Sequence, residues 1–166
     1  MSVVVRRAEV ADAKGLPSLV RAYWEFEGIA GFDASRIAAL LASLLARPEL
    51  GQCWVAEEGG ELVGYLLAVY MFSLEHGGVM AEIDEIFVVP ERRSLKIGAA
   101  LLDAATAVMM QLGIAQLQLQ LGRGNARGQR FYEQQGFERL SGYELLRKSL
   151  RLDRAARRVD STTLPG

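Results

Sequence analysis

Three carboxylates lie close together in an otherwise apolar stretch of the chain. Residues 81–88 are Ala-Glu-Ile-Asp-Glu-Ile-Phe-Val, and they contain Glu82, Asp84 and Glu85. The apolar residues between them predict a β-strand. A buried carboxylate costs free energy unless it is paired or used. The cluster could therefore supply a base that removes a proton from a reacting group. A salt bridge or a solvated sheet edge explains any one of the three equally well.

The orientation of these carboxylates follows from strand geometry. Side chains alternate between the two faces of a strand, which places Glu82 and Asp84 on one face with Ile86. The same rule places Glu85 on the opposite face with Phe87. A β-bulge within the strand would change this assignment.

A second candidate site follows directly after this strand, where residues 93–98 are Arg-Ser-Leu-Lys-Ile-Gly. A helix is predicted to begin at Ile97, so Arg93 and Lys96 lie near its N-terminus. Helix N-termini carry unpaired N–H groups and the positive end of the dipole, which suit an anion. The alternative is a capped helix with a solvated basic turn. The sequence has neither GxxxxGK[ST] nor GxGxxG, which disfavours a nucleoside triphosphate loop and a dinucleotide fold.

The elements that must position both sites follow from periodicity and turn residues. Consecutive middle strands should be antiparallel, and the strand–helix–strand unit after them parallel. The fold class is therefore a mixed α/β sheet flanked by helices. The predicted strands are Val3–Arg6, Cys53–Glu57, Leu62–Phe72, Ala81–Val89, Ala115–Leu121, Phe137–Leu140 and Tyr143–Leu150. The predicted helices are Ala11–Glu27, a second one capped by Asp33 and ended by Pro48, Ile97–Leu112 and Asn125–Gln135.

Composition limits the classes of function. The chain has 166 residues and a net charge of −1, which predicts one domain and gives no basic field for nucleic acid. No apolar run approaches the ~18–20 residues of a membrane span. We expect a cytoplasmic protein with one domain over residues 1–150. Residues 151–166 form a polar tail that we expect to be poorly ordered.

Two single residues carry little functional signal. Cys53 is the only cysteine, and we expect it to be a buried strand residue. His76 is the only histidine, which favours a surface or hydrogen-bonded role. No cluster of cysteine and histidine suggests a metal, so we expect no metal site.

The segment Arg93 to Gly98 resembles the acyl-CoA-binding loop of the GNAT N-acetyltransferase superfamily, [Q/R]-x-x-G-x-[G/A]. Arg93 matches the first position and Gly98 the last, whereas Lys96 stands where the family usually has glycine. A lysine costs little there if residue 96 is right-handed helical. The resemblance implies that backbone N–H groups of this loop and helix bind the CoA pyrophosphate. The residues implied here are Arg93, Ser94, Leu95, Lys96, Ile97, Gly98 and Ala99.

A second segment, Gly124 to Phe137, resembles the family pattern N-x-x-A-x-x-[FL]-Y-x-x-x-G-F. Gly128 replaces the common alanine, and both are small. Two motifs in the family order are more specific than either alone. The residues that match are Asn125, Phe131, Tyr132, Gly136 and Phe137.

The resemblance implies a GNAT-like fold, in which a parallel pair of strands splays apart and admits the acyl group. It also implies N-acetyl transfer from acetyl-CoA to an amine, with Tyr132 as the acid near the CoA sulfur. Asp84 is the first candidate for the base and Glu82 the second. Further CoA contacts are implied for Phe87, Val88, Asn125, Arg127 and Phe131, and the N–H of Val88 would bind the acyl oxygen.

The acceptor is less defined by the sequence. Aromatic and acidic residues in Tyr23–Glu27 and Phe72–His76 favour a small cationic amine, although core packing explains each of them. One alternative function is a non-catalytic module that binds acyl-CoA as a sensor or assembly cue. A homodimer through sheet edges would be compatible with either function.

Overall fold

The computed structural model describes residues 2–93 and 96–150. These residues contain five β-strands and four α-helices. The strands are β1 (Val4–Arg7), β2 (Gly51–Glu58), β3 (Glu61–Ser73), β4 (Gly78–Val88) and β5 (Leu117–Leu119). The helices are α1 (Leu16–Glu27), α2 (Ala34–Leu45), α3 (Ile97–Gln111) and α4 (Ala126–Gln134).

The strands form one sheet in the order β1-β2-β3-β4-β5. The pairs β1–β2, β2–β3 and β3–β4 are antiparallel, and β4–β5 is parallel. The chain reaches β5 from β4 through α3, as a parallel connection requires. The predicted mixed sheet with one parallel pair is confirmed.

Helices cover both faces of the sheet. Helix α3 packs on one face through Ile97, Leu101 and Leu102, in a core that also contains Trp54. Helices α1 and α2 pack on the other face, in a core that contains Cys53. Cys53 is fully buried, and burial raises the pKa of its thiol to about 12. It therefore stays protonated at neutral pH, which agrees with the expected structural role.

The first predicted helix is divided in the structure. A short 3-10 helix covers Val10–Lys14, and α1 begins after Gly15. Arg6 of β1 donates hydrogen bonds of 2.8 and 2.9 Å to the two carboxylate oxygens of Asp12 in this turn. The turn is thereby tied to the edge of the sheet.

The final two predicted strands are wrong. Within the described part of the chain, residues 137–150 form no strand. Leu145 and Leu146 are 73% and 87% exposed. The alternating pattern is present, but a strand also needs a paired neighbour and a buried face. The predicted tail, residues 151–166, lies outside the described residues. Among the described helices, none is both long and apolar enough to cross a bilayer.

Candidate active site

A β-bulge in β4 decides where the three carboxylates point. Leu67 of β3 lies opposite Glu85, and the next residue, Ala68, lies opposite Ile83, so Asp84 has no partner in the ladder. The extra residue shifts the alternation by one position. Glu82 and Glu85 therefore both face α1 and α2. The predicted separation of these two glutamates onto opposite faces is wrong.

Glu85 is held firmly by two aromatic side chains. Trp24 Nε1 donates to Glu85 Oε1 at 2.9 Å, and the hydroxyl of Tyr65 donates to Oε2 at 2.7 Å. Burial raises the pKa of the Glu85 carboxyl, the two hydrogen bonds oppose that rise, and the charge of Asp84 adds to it. Glu85 is thus an oriented, half-buried carboxylate with lone pairs left to accept a further donor.

Glu82 is already occupied by the neighbouring strand. Gln118 Nε2 donates to Glu82 Oε2 at 2.6 Å, and Gln120 Nε2 donates to Oε1 at 3.1 Å. These bonds join the polar face of β5 to β4. They give Glu82 a role in fixing the parallel pair of strands.

Asp84 differs from its two neighbours because no described residue hydrogen-bonds to its carboxylate. The bulge leaves this side chain exposed to solvent. Partial desolvation by the surrounding protein raises the pKa of the Asp84 carboxyl, and the charge of Glu82 adds to the rise. Asp84 can therefore exchange a proton with a bound molecule or with water.

A cavity of about 190 Å³ lies between α1, α2 and the sheet, and Asp84 and Glu85 form its acidic side. The predicted acceptor segment Phe72–His76, at the end of β3 and in the turn after it, contributes nothing to the lining. The predicted acceptor segment on α1 contributes Trp24. The apolar lining consists of Val20, Trp24, Ile37, Leu40, Leu41, Leu44 and Leu67.

The parallel strands separate at the bulge. β4 pairs with β5 only from Ala81 to Ile83, opposite residues 117–119. Beyond Ile83 the edge of β4 is free of β5. The N–H of Val89 donates to Val63 O of β3 at 3.0 Å. Because successive residues of a strand point in opposite directions, the N–H of Val88 points away from β3, into the gap.

Helix α3 begins beside this gap. Its N-cap residue is Lys96, and no described side chain caps the first turn. Lys96 has φ +58°, in the left-handed region. The condition under which lysine costs little, a right-handed residue 96, is therefore not met. The position requires a positive φ, which explains why glycine suits it.

Arg93 is used differently from the expectation. Its Nε donates to Val88 O at 3.0 Å. Its guanidinium lies 4.7 Å from the ring centre of Phe26 and 5.3 Å from that of Phe87. In this state Arg93 joins α1 to the end of β4, and it must leave these contacts to reach a phosphate.

Helix α4 brings the second motif to the first. A Cβ built on Gly98 would lie 3.6 Å from the ring of Phe131, so α3 and α4 meet at the matching positions of both motifs. Tyr132 packs edge-to-face on Phe131 and Phe137, with ring centres 5.1 and 5.4 Å apart. Burial raises the pKa of Tyr132 to about 12, and the charge of Glu27 adds to this. Tyr132 therefore keeps its proton at neutral pH.

Asn125 caps α4, because its Oδ1 accepts a 2.8 Å hydrogen bond from Gly128 N. A Cβ on Gly128 would lie 2.8 Å from Asn125 Nδ2 and 2.9 Å from Leu121 Cδ1. A side chain at residue 128 would collide with the capping Asn125 and with Leu121. These two contacts explain the glycine, and close packing against CoA is not needed to account for it.

The remaining predicted cofactor residues divide into three groups. Phe87, Val88 and Ile97 are buried in the core, so only their backbone is available to a ligand. Ala99 is half-buried in the first turn of α3, and Arg127 is exposed in the first turn of α4. Ser94 and Leu95 lie outside the described residues.

Two other expectations concern histidine and metal. His76 is exposed, and its Nδ1 lies 2.9 Å from Ser73 Oγ in the β3–β4 turn. Within residues 2–93 and 96–150, no group of three or more histidine, cysteine or acidic side chains is placed to hold a metal ion.

Glu85 is the residue that sequence reasoning missed as a candidate. Alternation placed Glu85 with Phe87, as the structure does, but it could not show that Glu82 shares this face, because the sequence does not reveal the bulge at Asp84. The signal that could have identified it is the presence of two adjacent carboxylates within an apolar strand, since such a pair is costly on opposite buried faces.

Comparison with known proteins agrees with this geometry. The family model described as "Acetyltransferase (GNAT) family" matches residues 16–137. An uncharacterized N-acetyltransferase of Bacillus subtilis is 32% identical over 141 residues, which cover 84% of this chain and 92% of the relative.

Solved structures agree as well. An integron cassette protein from the mobile metagenome of Cole Harbour Salt Marsh is 31% identical. It has a TM-score of 0.78, with 89% of this chain and 91% of that chain covered. A Clostridium acetobutylicum structure, described as a predicted acetyltransferase with acetyl-CoA, shares the fold, with 19% identity and a TM-score of 0.75. It covers 88% of this chain and 96% of that chain.

Proposed function

The chain belongs to the GNAT acetyltransferase family, and we propose that it transfers the acetyl group of acetyl-CoA to a primary amine by direct attack. Both substrates would be bound together when the bond forms. The family membership makes the chain an acyl-CoA-dependent N-acetyltransferase; the amine acceptor and the route of transfer are our proposal.

The observation that carries the proposal is the separation of β4 from β5 at Asp84. It creates an opening that has an exposed carboxylate on one strand and the N–H of Val88 beside it. The uncapped start of α3 lies at the same end of the sheet. A thioester whose carbonyl oxygen accepts from the N–H of Val88 would lie a few residues along β4 from Asp84, so the amine proton would reach Asp84 most directly through a bridging water.

The base is needed because the amine arrives protonated. A primary amine has a pKa near ~10.4, so its nitrogen has no free electron pair at neutral pH. Asp84 takes the proton, directly or through water. Its raised pKa makes it a stronger base than an ordinary aspartate. Glu82 is less suited, because Gln118 and Gln120 already bind both of its oxygens.

The transfer then balances as follows. The amine nitrogen gives its electron pair to the thioester carbonyl carbon, and a C–N bond forms. The carbonyl oxygen gains charge that the N–H of Val88 stabilises. The C–S bond breaks, its electron pair stays on sulfur, and the hydroxyl of Tyr132 donates a proton to that thiolate. The nitrogen, still cationic after the attack, loses its second proton to solvent as the amide forms. The proton that Asp84 removed also returns to solvent, and solvent reprotonates Tyr132, so one proton is released per turnover.

Acetyl-CoA is the donor that best fits these residues. The first N–H groups of α3 can bind an anion such as the CoA pyrophosphate, and Lys96 adds a positive charge at the same place. The Clostridium acetobutylicum structure with the same fold is described with acetyl-CoA, which supports this choice.

The test is calorimetric titration of the full chain with acetyl-CoA, followed by an assay of acetyl transfer to primary amines. We expect saturable binding in the wild type. Arg93→Glu should weaken it at least tenfold, since it replaces a cation near the anion site with an anion and also removes the bond from Arg93 to Val88 O. Lys14→Glu, an exposed cation in the 3-10 turn before α1, is the matched control and should bind normally.

Each outcome has a definite meaning. Absence of binding by the wild type would overturn the proposed donor. Tight binding without transfer to any amine would favour the sensor over the enzyme.

A further inference from the structure

The cavity beside Asp84 and Glu85 has a composition that restricts its occupant. Seven of its nine lining residues are apolar, and the only charged residues among them are the two carboxylates of β4. Among the described residues that line it there is no lysine or arginine. One side of the cavity therefore favours a cation, and the remaining surface favours apolar groups.

The two carboxylates follow Ile83, the last residue of β4 that pairs with β5, so the acidic side of the cavity adjoins the opening between these strands. Glu85 is fixed there by Trp24 and Tyr65, so an ammonium group can bind to it without any rearrangement of the protein. Asp84, the next residue, stands where β5 departs. An amine held by Glu85 is thus next to the base and to the opening that admits the acetyl group.

The remaining lining of the cavity is apolar, and α2 supplies four of its aliphatic side chains. Leu41 is 5% exposed, whereas Leu40 on the same helix is 59% exposed. A second charged group on the acceptor would lose water against these leucines without gaining a partner, which is costly. An anionic group would also be repelled by Asp84 and Glu85.

The size of the cavity adds a further limit. Its volume of about 190 Å³ is below the roughly 300–1,000 Å³ of pockets that take drug-sized ligands. The body of the acceptor must therefore be compact.

We propose that the acceptor is a primary amine on a compact, uncharged apolar body, such as an alkyl chain or a single ring. The amine binds at Glu85 and the apolar body lies against Leu41, Leu44 and Leu67. The nitrogen is acetylated there, with its proton passing to Asp84 and the C–S electron pair leaving with CoA. This inference rests on the proposed function and specifies its substrate class.

The experiment compares four acceptors with the same five-carbon chain that differ only at the far end. These are n-pentylamine, 5-amino-1-pentanol, 1,5-diaminopentane and 5-aminopentanoate. The full chain is assayed with each at saturating acetyl-CoA, and CoA release is followed with a thiol reagent. We expect kcat/KM for pentylamine to exceed that for the diamine and the carboxylate at least tenfold, with the alcohol between them.

A variant in the lining tests whether the apolar wall sets this order. Leu40→Glu places a carboxylate in the apolar lining of the cavity, and the exposure of Leu40 makes this change compatible with folding. The ratio of kcat/KM for the diamine to that for pentylamine should rise at least fivefold. Met110→Glu on α3, at a residue that is 72% exposed and outside the cavity, should leave the ratio unchanged.

The failures can be told apart. Efficient acetylation of the diamine or the carboxylate, with pentylamine poor, would overturn the apolar acceptor and leave the proposed function intact. A ratio that Leu40→Glu does not change would place the acceptor outside this cavity and would also overturn the inference. No acetylation of any amine despite acetyl-CoA binding would overturn the proposed function, and this inference with it.

Discussion

The indole Nε1 of Trp24 and Oε1 of Glu85 form a 2.9 Å hydrogen bond that joins α1 to β4. Glu85 shares this face with Phe87, and the bulge at Asp84 brings Glu82 to the same face. Glu85 is held by two hydrogen bonds from the protein. The neighbouring carboxylate of Asp84 accepts no hydrogen bond from a described residue. Substitution of each carboxylate should separate their proposed roles, binding of the amine by Glu85 and removal of its proton by Asp84.

Replacing Glu85 with glutamine should raise KM for pentylamine at least tenfold. A neutral amide loses the attraction for the ammonium, whereas binding of acetyl-CoA should be unchanged. Steady-state kinetics with each substrate varied in turn would measure both effects. Glu49→Gln, at an exposed site between α2 and β2, is the control and should behave as the wild type.

The same replacement should change how stability depends on pH. Burial raises the pKa of Glu85 above its ordinary value of 4.5. Between that ordinary value and the raised pKa the folded state binds more protons than the unfolded state, so stability falls as pH rises through that window. Urea unfolding should show a free energy of unfolding that falls less over this window in Glu85→Gln than in the wild type. An equal fall in both proteins would contradict the raised pKa.

Asp84→Asn should lower kcat by about 10²–10⁴, the usual contribution of general base catalysis, with little effect on acetyl-CoA affinity. In the wild type, kcat should rise with pH as Asp84 ionises, and the midpoint should lie above 3.8, the ordinary pKa of an aspartate. The variant should lose this rise. Glu82→Gln should have a smaller effect, because Glu82 is bound to Gln118 and Gln120. If Glu82→Gln lost as much activity as Asp84→Asn, the assignment of the base would be wrong.

Lys96→Gly should stabilise the protein by about 1 kcal/mol, because a left-handed conformation costs a residue with a side chain about 1–2 kcal/mol, partly offset by the freedom of glycine in the unfolded chain. The free energy of unfolding in urea measures the gain. Lys96→Ala keeps the unfavourable φ of +58° and should give no such gain. Equal stabilisation by alanine would show that the lysine side chain, and not the backbone conformation, is the cause.

Tyr132→Phe should lower kcat by about 10²-fold, the lower end of what general acid catalysis contributes, and leave the affinity for acetyl-CoA nearly unchanged. The ring contacts with Phe131 and Phe137 survive the change, so only the proton donor is lost. Because the pKa of Tyr132 is raised to about 12, its hydroxyl should keep its proton throughout the usual pH range of the assay. Deprotonation of Tyr132 should therefore not lower kcat within that range. A leaving thiolate whose conjugate thiol has a lower pKa than CoA depends less on protonation by Tyr132. With a thioester of such a thiol, Tyr132→Phe should therefore lower kcat by a smaller factor.

Much of this architecture was determined by the sequence, because the signals for it are local. The apolar period fixes α3 from Ile97, and the Asn125 cap marks the start of α4, since both depend on neighbours a few residues away. The two motifs that carry Gly98 and Phe131 could be recognised for the same reason. The order of the strands and the parallel crossover followed from the order of the elements.

The orientation of the site was decided only by the tertiary structure. The bulge at Asp84 is set by the register of β4 against β3, which involves residues far apart in the chain, and alternation within one strand cannot reveal it. The cavity between α1, α2 and the sheet has the same origin, as does the bond from Arg93 to Val88. The strand predicted at Tyr143–Leu150 is absent from the described part of the chain, because the alternating pattern is a local signal whereas a strand forms only when it pairs with a neighbour. The sequence thus supplied the reacting groups and their order, and long-range pairing decided which of them meet.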